Sequence, residues 1–221
     1  MAAVKSWFRS AIRAAAPLLL ALTAPLGAAA GDADALAARL QSIDNFAATF
    51  RQAIADGRGR ILEESTGYVL LRRPEFRWVV DAPYPQVIVA GGEDLKIYDP
   101  DLAQLTVKPL ADALADTPIS LLTRNRVALD SEFLVTRLAA ELQAAEGAAA
   151  AVESFAVRPR SEDSLFAEIR LTFLADRLAS LGILDHLGQY TEIRFEADPQ
   201  RVIQSADFEL EVPPGTDVID G

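Results

Sequence analysis

Apolar residues recur at two spacings along this chain, one typical of helices and one typical of strands. Near the start of the folded region the spacing is helical, and Leu36, Leu40 and Ile43 share one face of a predicted helix. Asp32 or Asp34 is placed to cap that helix. The apolar stripe fits packing against a sheet, and it fits equally well a helix that covers a ligand cavity.

From residue 46 onward the apolar period changes to two, which is typical of strands. The alternating segments are short, and turn signals rich in glycine, proline and aspartate separate them. Close spacing of short strands predicts an antiparallel meander. We predict ten strands, near residues 46–50, 68–72, 76–80, 87–89, 95–98, 105–107, 152–157, 166–174, 190–197 and 208–212.

Two further segments complete the predicted secondary structure. Asp116-Thr117-Pro118 supplies a cap and a first-turn proline for a short helix that ends at Arg124. Residues 129–142 fit a helix, an alanine-rich strand or an irregular loop. A sheet this long in a chain this short must curl to cover its apolar face, and few helices are available to cover it. The pattern therefore predicts one strongly curved sheet whose concave side is filled by helices.

The first thirty residues have the composition of an export signal. Three basic residues precede an almost wholly apolar stretch, residues 14–26, and Ala28-Ala29-Ala30 forms a small-residue cleavage pattern. The apolar stretch is shorter than the ~20 residues that a membrane span needs. We expect residues 1–30 to be a signal peptide that is removed, and residues 31–221 to form one domain.

Charge and cysteine content narrow the class of protein. The whole chain has a net charge of −11 and no cysteine; the signal contains three basic residues and no acidic one, so its removal leaves −14. Such acidity argues against nucleic acid and anionic lipid surfaces as general partners. Without cysteine the mature protein can carry neither a disulfide nor a thioether-linked lipid, so we expect a free, soluble protein.

The sequence shows no motif of a nucleophilic enzyme; a glycosidase-like pair of carboxylates stays open because aspartate and glutamate are abundant, but nothing singles out one pair. There is no G-x-S-x-G motif, and the single histidine, His186, lies in a predicted turn between two strands. One histidine without cysteine makes a zinc site unfavourable. Asp99-Pro100-Asp101 matches half of a calcium loop, but the remaining ligands are absent and a β-turn is the better interpretation. We predict no enzymatic activity, no metal and no cofactor.

One segment carries a specific pattern. Gly67-Tyr68-Val69-Leu70-Leu71-Arg72-Arg73-Pro74-Glu75-Phe76-Arg77-Trp78 resembles the G-x-(aromatic)…(K/R)-R-P…F-x-W signature of the periplasmic outer-membrane lipoprotein carrier proteins, the LolA family. The resemblance runs from about residue 35 to residue 220. Weaker matches follow in the family's order, at Leu40…Phe46…Phe50-Arg51-Gln52, Tyr98-Asp99-Pro100, Thr117-Pro118 with Leu121-Leu122, residues 185–195, and Phe208…Pro213-Pro214-Gly215…Val218.

The resemblance implies both a fold and a function. The implied fold is mainly β with α: an open, half-closed antiparallel β-barrel of about ten strands with a helical lid over an apolar cavity. The implied function is that of a monomeric carrier in the periplasm of a Gram-negative bacterium. It would bind the acyl chains of lipid-modified proteins, accept them from an inner-membrane ABC transporter and deliver them to an outer-membrane lipoprotein receptor.

Arg73 receives the most specific role from this resemblance. The matching family arginine points at the lid and donates hydrogen bonds to backbone carbonyl groups, which here would lie at the end of the second predicted helix. From the residues alone, a solvated hairpin residue is the better interpretation of Arg73, and the aromatic residues are equally well ordinary core. The other implied site residues are Phe76 and Trp78 on one strand face, Tyr68 beside them, Leu40 and Phe46 at the first helix, and Leu121 and Leu122 in the second.

Three other functions are open at the level of sequence. A sensor domain of the same fold would bind mislocalised lipoproteins, although such sensors usually carry a second domain. A periplasmic carrier or sensor of other acylated lipids or glycolipids would need the same hollow. An esterase acting on acyl chains would have to use His186 as its base.

Overall fold

The structure, a computed structural model, describes residues 31–110, 120–123, 129–139 and 152–220. The predicted signal peptide at residues 1–30 lies outside the described residues. So do most of the helix expected at residues 116–124 and part of the segment 129–142.

Within the described residues, twelve strands form one sheet in the order β12-β6-β5-β4-β3-β2-β1-β11-β10-β9-β8-β7. All neighbouring strands are antiparallel except β12 and β6, which are parallel. β7 and β12 lie at the two edges, so the curled sheet stays open, as predicted. The strands are β1 (Asn45–Ala55), β2 (Ile61–Arg72), β3 (Glu75–Ala82), β4 (Gln86–Gly91), β5 (Asp94–Asp99), β6 (Gln104–Pro109), β7 (Phe133–Leu138), β8 (Val152–Pro159), β9 (Glu168–Leu174), β10 (Arg177–Leu184), β11 (Tyr190–Ala197) and β12 (Asp217–Asp220).

Within the described ranges, three α-helices accompany the sheet: α1 (Asp32–Gln41), α2 (Ser120–Thr123) and α3 (Leu129–Glu132). α1 leads into β1 at the middle of the sheet, whereas α2 and α3 lie in the connection from β6 to the opposite edge at β7. Single 3₁₀ turns occur at Pro100–Leu102 and Ser205–Phe208. None of the described helices combines the length and the apolar character needed to cross a membrane.

The main core lies on the concave face of the sheet. Alternation sends Phe50, Val69 and Trp78 to this face, where they join the cluster that contains Leu36 of α1 and Leu122 of α2. All five side chains are buried. The helical stripe of α1 therefore packs directly on the sheet.

β10 and β12 lie where no strand was predicted, and β7 lies in the segment that the sequence left open between helix, strand and loop. β7 follows α3 without a break, so the segment from residue 129 is a short helix and then a strand. β10 contains a β-bulge between Leu178 and Ser180, which interrupts the period of two and hides the strand from pattern analysis. The helix cap was also assigned wrongly: Gly31 is the N-cap of α1 and makes no side-chain bond.

The strand predicted at residues 208–212 is wrong. This segment crosses the outer face of the sheet, where Phe208 packs in a second small core against Leu70 and Val89. Its backbone bonds to a side chain instead of a strand: Arg77 of β3 donates from Nη1 to the carbonyl oxygens of Asp207 at 3.0 Å and Glu209 at 3.1 Å. An extended segment that lies flat on a sheet buries alternate side chains as a strand does. The period of two at residues 208–212 was therefore wrongly interpreted as a strand. The last strand is β12, further along the chain.

Candidate functional site

Arg73 lies in the tight turn between β2 and β3, in a cis Arg73-Pro74 unit, and its side chain is only 7% exposed. Nε donates a hydrogen bond of 2.8 Å to the carbonyl oxygen of Leu122 in α2. Nη2 donates to the carbonyl oxygen of Leu40 near the end of α1. One guanidinium group thus joins the hairpin to both helices. The contact with α1 was not anticipated from the sequence.

Burial dominates the electrostatic environment of Arg73. Burial lowers the pKa of the guanidinium below its ordinary value, and the carboxylate of Asp44 acts in the opposite direction. Nη1 is 3.8 Å from Oδ1 of Asp44, whose side chain is 78% exposed, so this ion pair is weak. The carbonyl of Leu40 lies in the last turn of α1, where the helix dipole favours a cation. The two carbonyl groups are therefore the principal partners of the buried charge.

Five aromatic rings form a wall on the concave face opposite the helices. Phe50 stacks on Trp78 with 4.0 Å between ring centroids, and Phe195 meets Trp78 edge-on at 6.4 Å. Register explains the grouping, because Phe50 of β1 lies opposite Phe195 of β11, and Val69 of β2 lies opposite Trp78 of β3. The rings belong to Phe46, Phe50, Phe76, Trp78 and Phe195.

Gly67 permits the close approach of two of these strands. A Cβ atom at this position would lie 1.8 Å from the carbonyl oxygen of Val79 and 2.8 Å from Cζ of Phe50. The register between β2 and β3 also shifts between Thr66 and Gly67. The glycine of the sequence signature therefore allows Phe50 to lie flat against the strand and to reach Trp78.

The helices close directly over the aromatic wall. Leu36, Leu40, Leu121 and Leu122 are all buried in the same cluster as the rings. The hollow expected from the sequence is thus occupied by leucine side chains of the helices. A groove of about 650 Å³ lies on the outer face, and both polar and apolar residues line it, Arg170 and Leu174 among them.

Seven of the eight site residues implied by the resemblance come together on the concave side, and Tyr68 does not. Val69 and Leu71 face the concave core, so Tyr68 and Leu70, which alternate with them along β2, face outward. Tyr68 therefore packs with Leu70 in the outer-face core. Its placement in the site was wrong because alternate residues of a strand face opposite sides.

Pattern analysis also left Phe50 and Phe195 out of the site. Alternation places each ring on a face of its own strand. However, β1 and β11 are far apart in the chain, and no local signal indicates that they are neighbours in the sheet. Among the described residues, no group of three histidine, cysteine, aspartate or glutamate side chains is arranged to hold a metal ion.

Sequence comparison places this chain beside one family. Residues 41–210 match the family described as outer membrane lipoprotein carrier protein LolA. A relative from Chromohalobacter salexigens is 38% identical over 214 residues, covering 96% of this chain and 97% of the other. A relative from Pseudomonas aeruginosa is 35% identical over 202 residues, covering 88% and 93%. Both relatives are described as outer-membrane lipoprotein carrier proteins.

Solved structures show a similar fold. The crystal structure of an uncharacterized conserved protein from Thermus thermophilus has a TM-score of 0.56 at 15% identity and covers 86% of this chain and 100% of that one. The crystal structure of MucB has a TM-score of 0.50 at 18% identity and covers 85% of this chain and 65% of that one. At these identities the likeness concerns the fold alone.

Proposed function

The chain belongs to the outer membrane lipoprotein carrier protein (LolA) family, and we propose that it carries lipoproteins by holding their acyl chains against its aromatic wall. The observation that carries this proposal is the contact set of Arg73. One buried guanidinium group ties both helices to the β2–β3 hairpin, directly beside a face made of aromatic rings. A bond of this kind can be broken and remade without unfolding the sheet.

Loading requires α2 to move, because its side chains Leu121 and Leu122 are now buried against the rings. Two hydrogen bonds from a charged donor oppose that movement by ~1.5–3 kcal/mol each. Transfer of one methylene from water gives ~0.8 kcal/mol. Burial of roughly four to eight methylene groups would therefore offset the loss of both bonds. A single lipoprotein acyl chain is long enough to offset the loss of these two bonds.

The finer steps of the proposed function are those that the family resemblance implies. The protein acts in the periplasm as a monomer without enzymatic activity. It accepts cargo from an inner-membrane ABC transporter and delivers it to an outer-membrane receptor lipoprotein. Delivery in that direction requires the receptor to hold acyl chains more tightly than this carrier does. The Arg73 bonds favour delivery because they re-form only after the chains have left.

Recovery of the protein from periplasm, with mass spectrometry of what co-purifies, tests the proposal. Lipid-modified proteins should accompany the wild-type chain and leave it when purified receptor is added. Recovery of glycolipids without lipid-modified proteins would instead identify a carrier of other acylated lipids, and recovery of neither would refute the carrier function.

The position of the acyl chains can be tested separately, because Trp78 is the one tryptophan within residues 31–221. Brominated fatty acids quench tryptophan fluorescence on contact. We expect strong quenching of Trp78 that saturates with fatty acid concentration. A matched control carries two substitutions, Trp78→Phe and Tyr68→Trp. Its tryptophan then lies on the outer face of the same sheet. Equal quenching of both tryptophans would contradict binding on the concave face.

A further inference from the structure

α1 is attached to the sheet at a second place, far from Arg73. Glu153 of β8 accepts a hydrogen bond of 2.6 Å from Nε of Arg39 in α1. Its other oxygen lies 3.1 Å from Nη2 of Arg137 in β7. The Glu153 side chain is only 20% exposed, and it faces the concave side because its register partner Phe173 does so. One carboxylate thus bridges the helix and the edge strand.

The two arginine side chains also cover aromatic rings. The guanidinium carbon of Arg39 lies 5.9 Å from the ring centroid of Phe173, and that of Arg137 lies 5.4 Å from the ring of Phe155. Both rings are completely buried. Movement of α1 away from β8 would therefore break the ion pair and expose the face of Phe173 at the same time, which makes the contacts cooperative.

A third contact fixes the start of the helix. Oδ2 of Asp32, in the first turn of α1, accepts a hydrogen bond of 2.9 Å from the backbone N–H of Arg137. α1 is therefore held to the β7–β8 edge near both of its ends, and among the described contacts it accepts a hydrogen bond from Arg73 through the carbonyl of Leu40. Within the described part of the chain, the polar contact that ties α2 to the sheet is that from Arg73 to Leu122.

We propose that Glu153 anchors α1 to the β7–β8 edge independently of Arg73, so that release of Arg73 frees α2 while α1 stays in place as a fixed wall of the hollow. Glu153 is thus a positioning residue for the carrier site. The anchored α1 and the releasable α2 thus differ, and this difference is the asymmetry of the two helices. The inference rests on the proposed function only where it assigns a purpose to that asymmetry. The asymmetry itself can be measured without any lipid.

Hydrogen exchange of the backbone amides in the lipid-free protein tests the anchor. Glutamine is uncharged and offers one acceptor oxygen where Glu153 offers two, so it cannot accept from both Arg39 and Arg137. Glu153→Gln should therefore raise the exchange rate of the α1 amides by roughly tenfold or more. Arg73→Leu should accelerate exchange around residues 120–123 and change α1 less. Equal acceleration of both helices in Arg73→Leu, or unchanged α1 exchange in Glu153→Gln, would overturn the proposal.

The chain offers a close control for the loss of a bridging carboxylate. Glu168 of β9 lies between two arginines, 2.7 Å from Nη2 of Arg158 and 3.1 Å from Nη2 of Arg170, and is 13% exposed. It makes no contact with a helix among the described contacts. Glu168→Gln should therefore leave α1 exchange at the wild-type rate. An equal rise of α1 exchange in this control would show a global loss of stability and refute a specific anchor.

A second variant tests the same anchor from the helix side, so that the proposal stays testable if Glu153→Gln fails to fold. Arg39→Gln removes the helix side of the bridge and leaves the pair between Arg137 and Glu153 intact, so it should raise α1 exchange with little change in the sheet. Quenching of Trp78 by brominated fatty acid is then measured on the same samples. Absence of quenching in the wild type would defeat the proposed function, while the exchange data would still decide whether Glu153 anchors α1.

Discussion

Replacement of Arg73 by lysine should shift the protein toward an open form, in which α2 has moved away from the aromatic wall. An ammonium group is a compact charge and cannot reach two carbonyl groups on separate helices in the way that the planar guanidinium does. Arg73→Lys therefore loses one of the two bonds, to Leu40 or to Leu122. The loss of ~1.5–3 kcal/mol raises the open population by between about tenfold and a hundredfold. Arg73→Leu loses both bonds and should shift further.

Titration with brominated fatty acid, followed by Trp78 fluorescence, measures this shift. Apparent affinity is the intrinsic affinity multiplied by the fraction of open protein. The apparent Kd should therefore be highest in the wild type, lower in Arg73→Lys and lowest in Arg73→Leu. Because the arginine bonds no longer re-form behind the departing chains, Arg73→Leu should also accept lipoprotein yet fail to pass it to purified receptor.

Arg77 supplies the matched control for this series. It belongs to the same hairpin and also donates to two backbone carbonyl groups, but on the outer face. Arg77→Leu should leave the apparent Kd at the wild-type value. Weaker binding in Arg73→Leu than in the wild type, or normal transfer from it to the receptor, would refute the latch.

Three further outcomes follow from individual contacts. Gly67→Ala should lower the melting temperature and reduce Trp78 quenching, because its Cβ would collide with backbone that no rotamer change can relieve; a wild-type melting curve would contradict this. Phe208→Ala should cost ~3 kcal/mol of unfolding free energy in urea, as for other buried phenylalanines, and leave fatty acid binding intact. Burial raises the pKa of Tyr190 above its ordinary 10.0. The unfolded chain then ionises first, so stability should fall as pH rises above about 10, and Tyr190→Phe should reduce that fall.

Much of the site lies within one continuous stretch of sequence, and this part was predictable. The turn at Arg73 and the alternation of Phe76 and Trp78 are set by neighbours in the chain, so both rings were placed on one face. The same rule, applied to Tyr68, shows that this residue lies on the opposite face from Val69. Tyr68 was included in the site because of the family signature, which does not show to which side of the sheet a side chain points.

The sequence alone determined the strand period, most of the strands, the hairpin turns and the face that each side chain takes within its strand. These properties depend on local sterics and on the difference in period between strand and helix. Only the tertiary structure decided which faces meet. Arg39 and Glu153 are 114 positions apart, and Phe50 meets Phe195 because β11 returns beside β1. Such contacts depend on register and on the curl of the whole sheet, where a shift of one residue would turn every side chain to the other face.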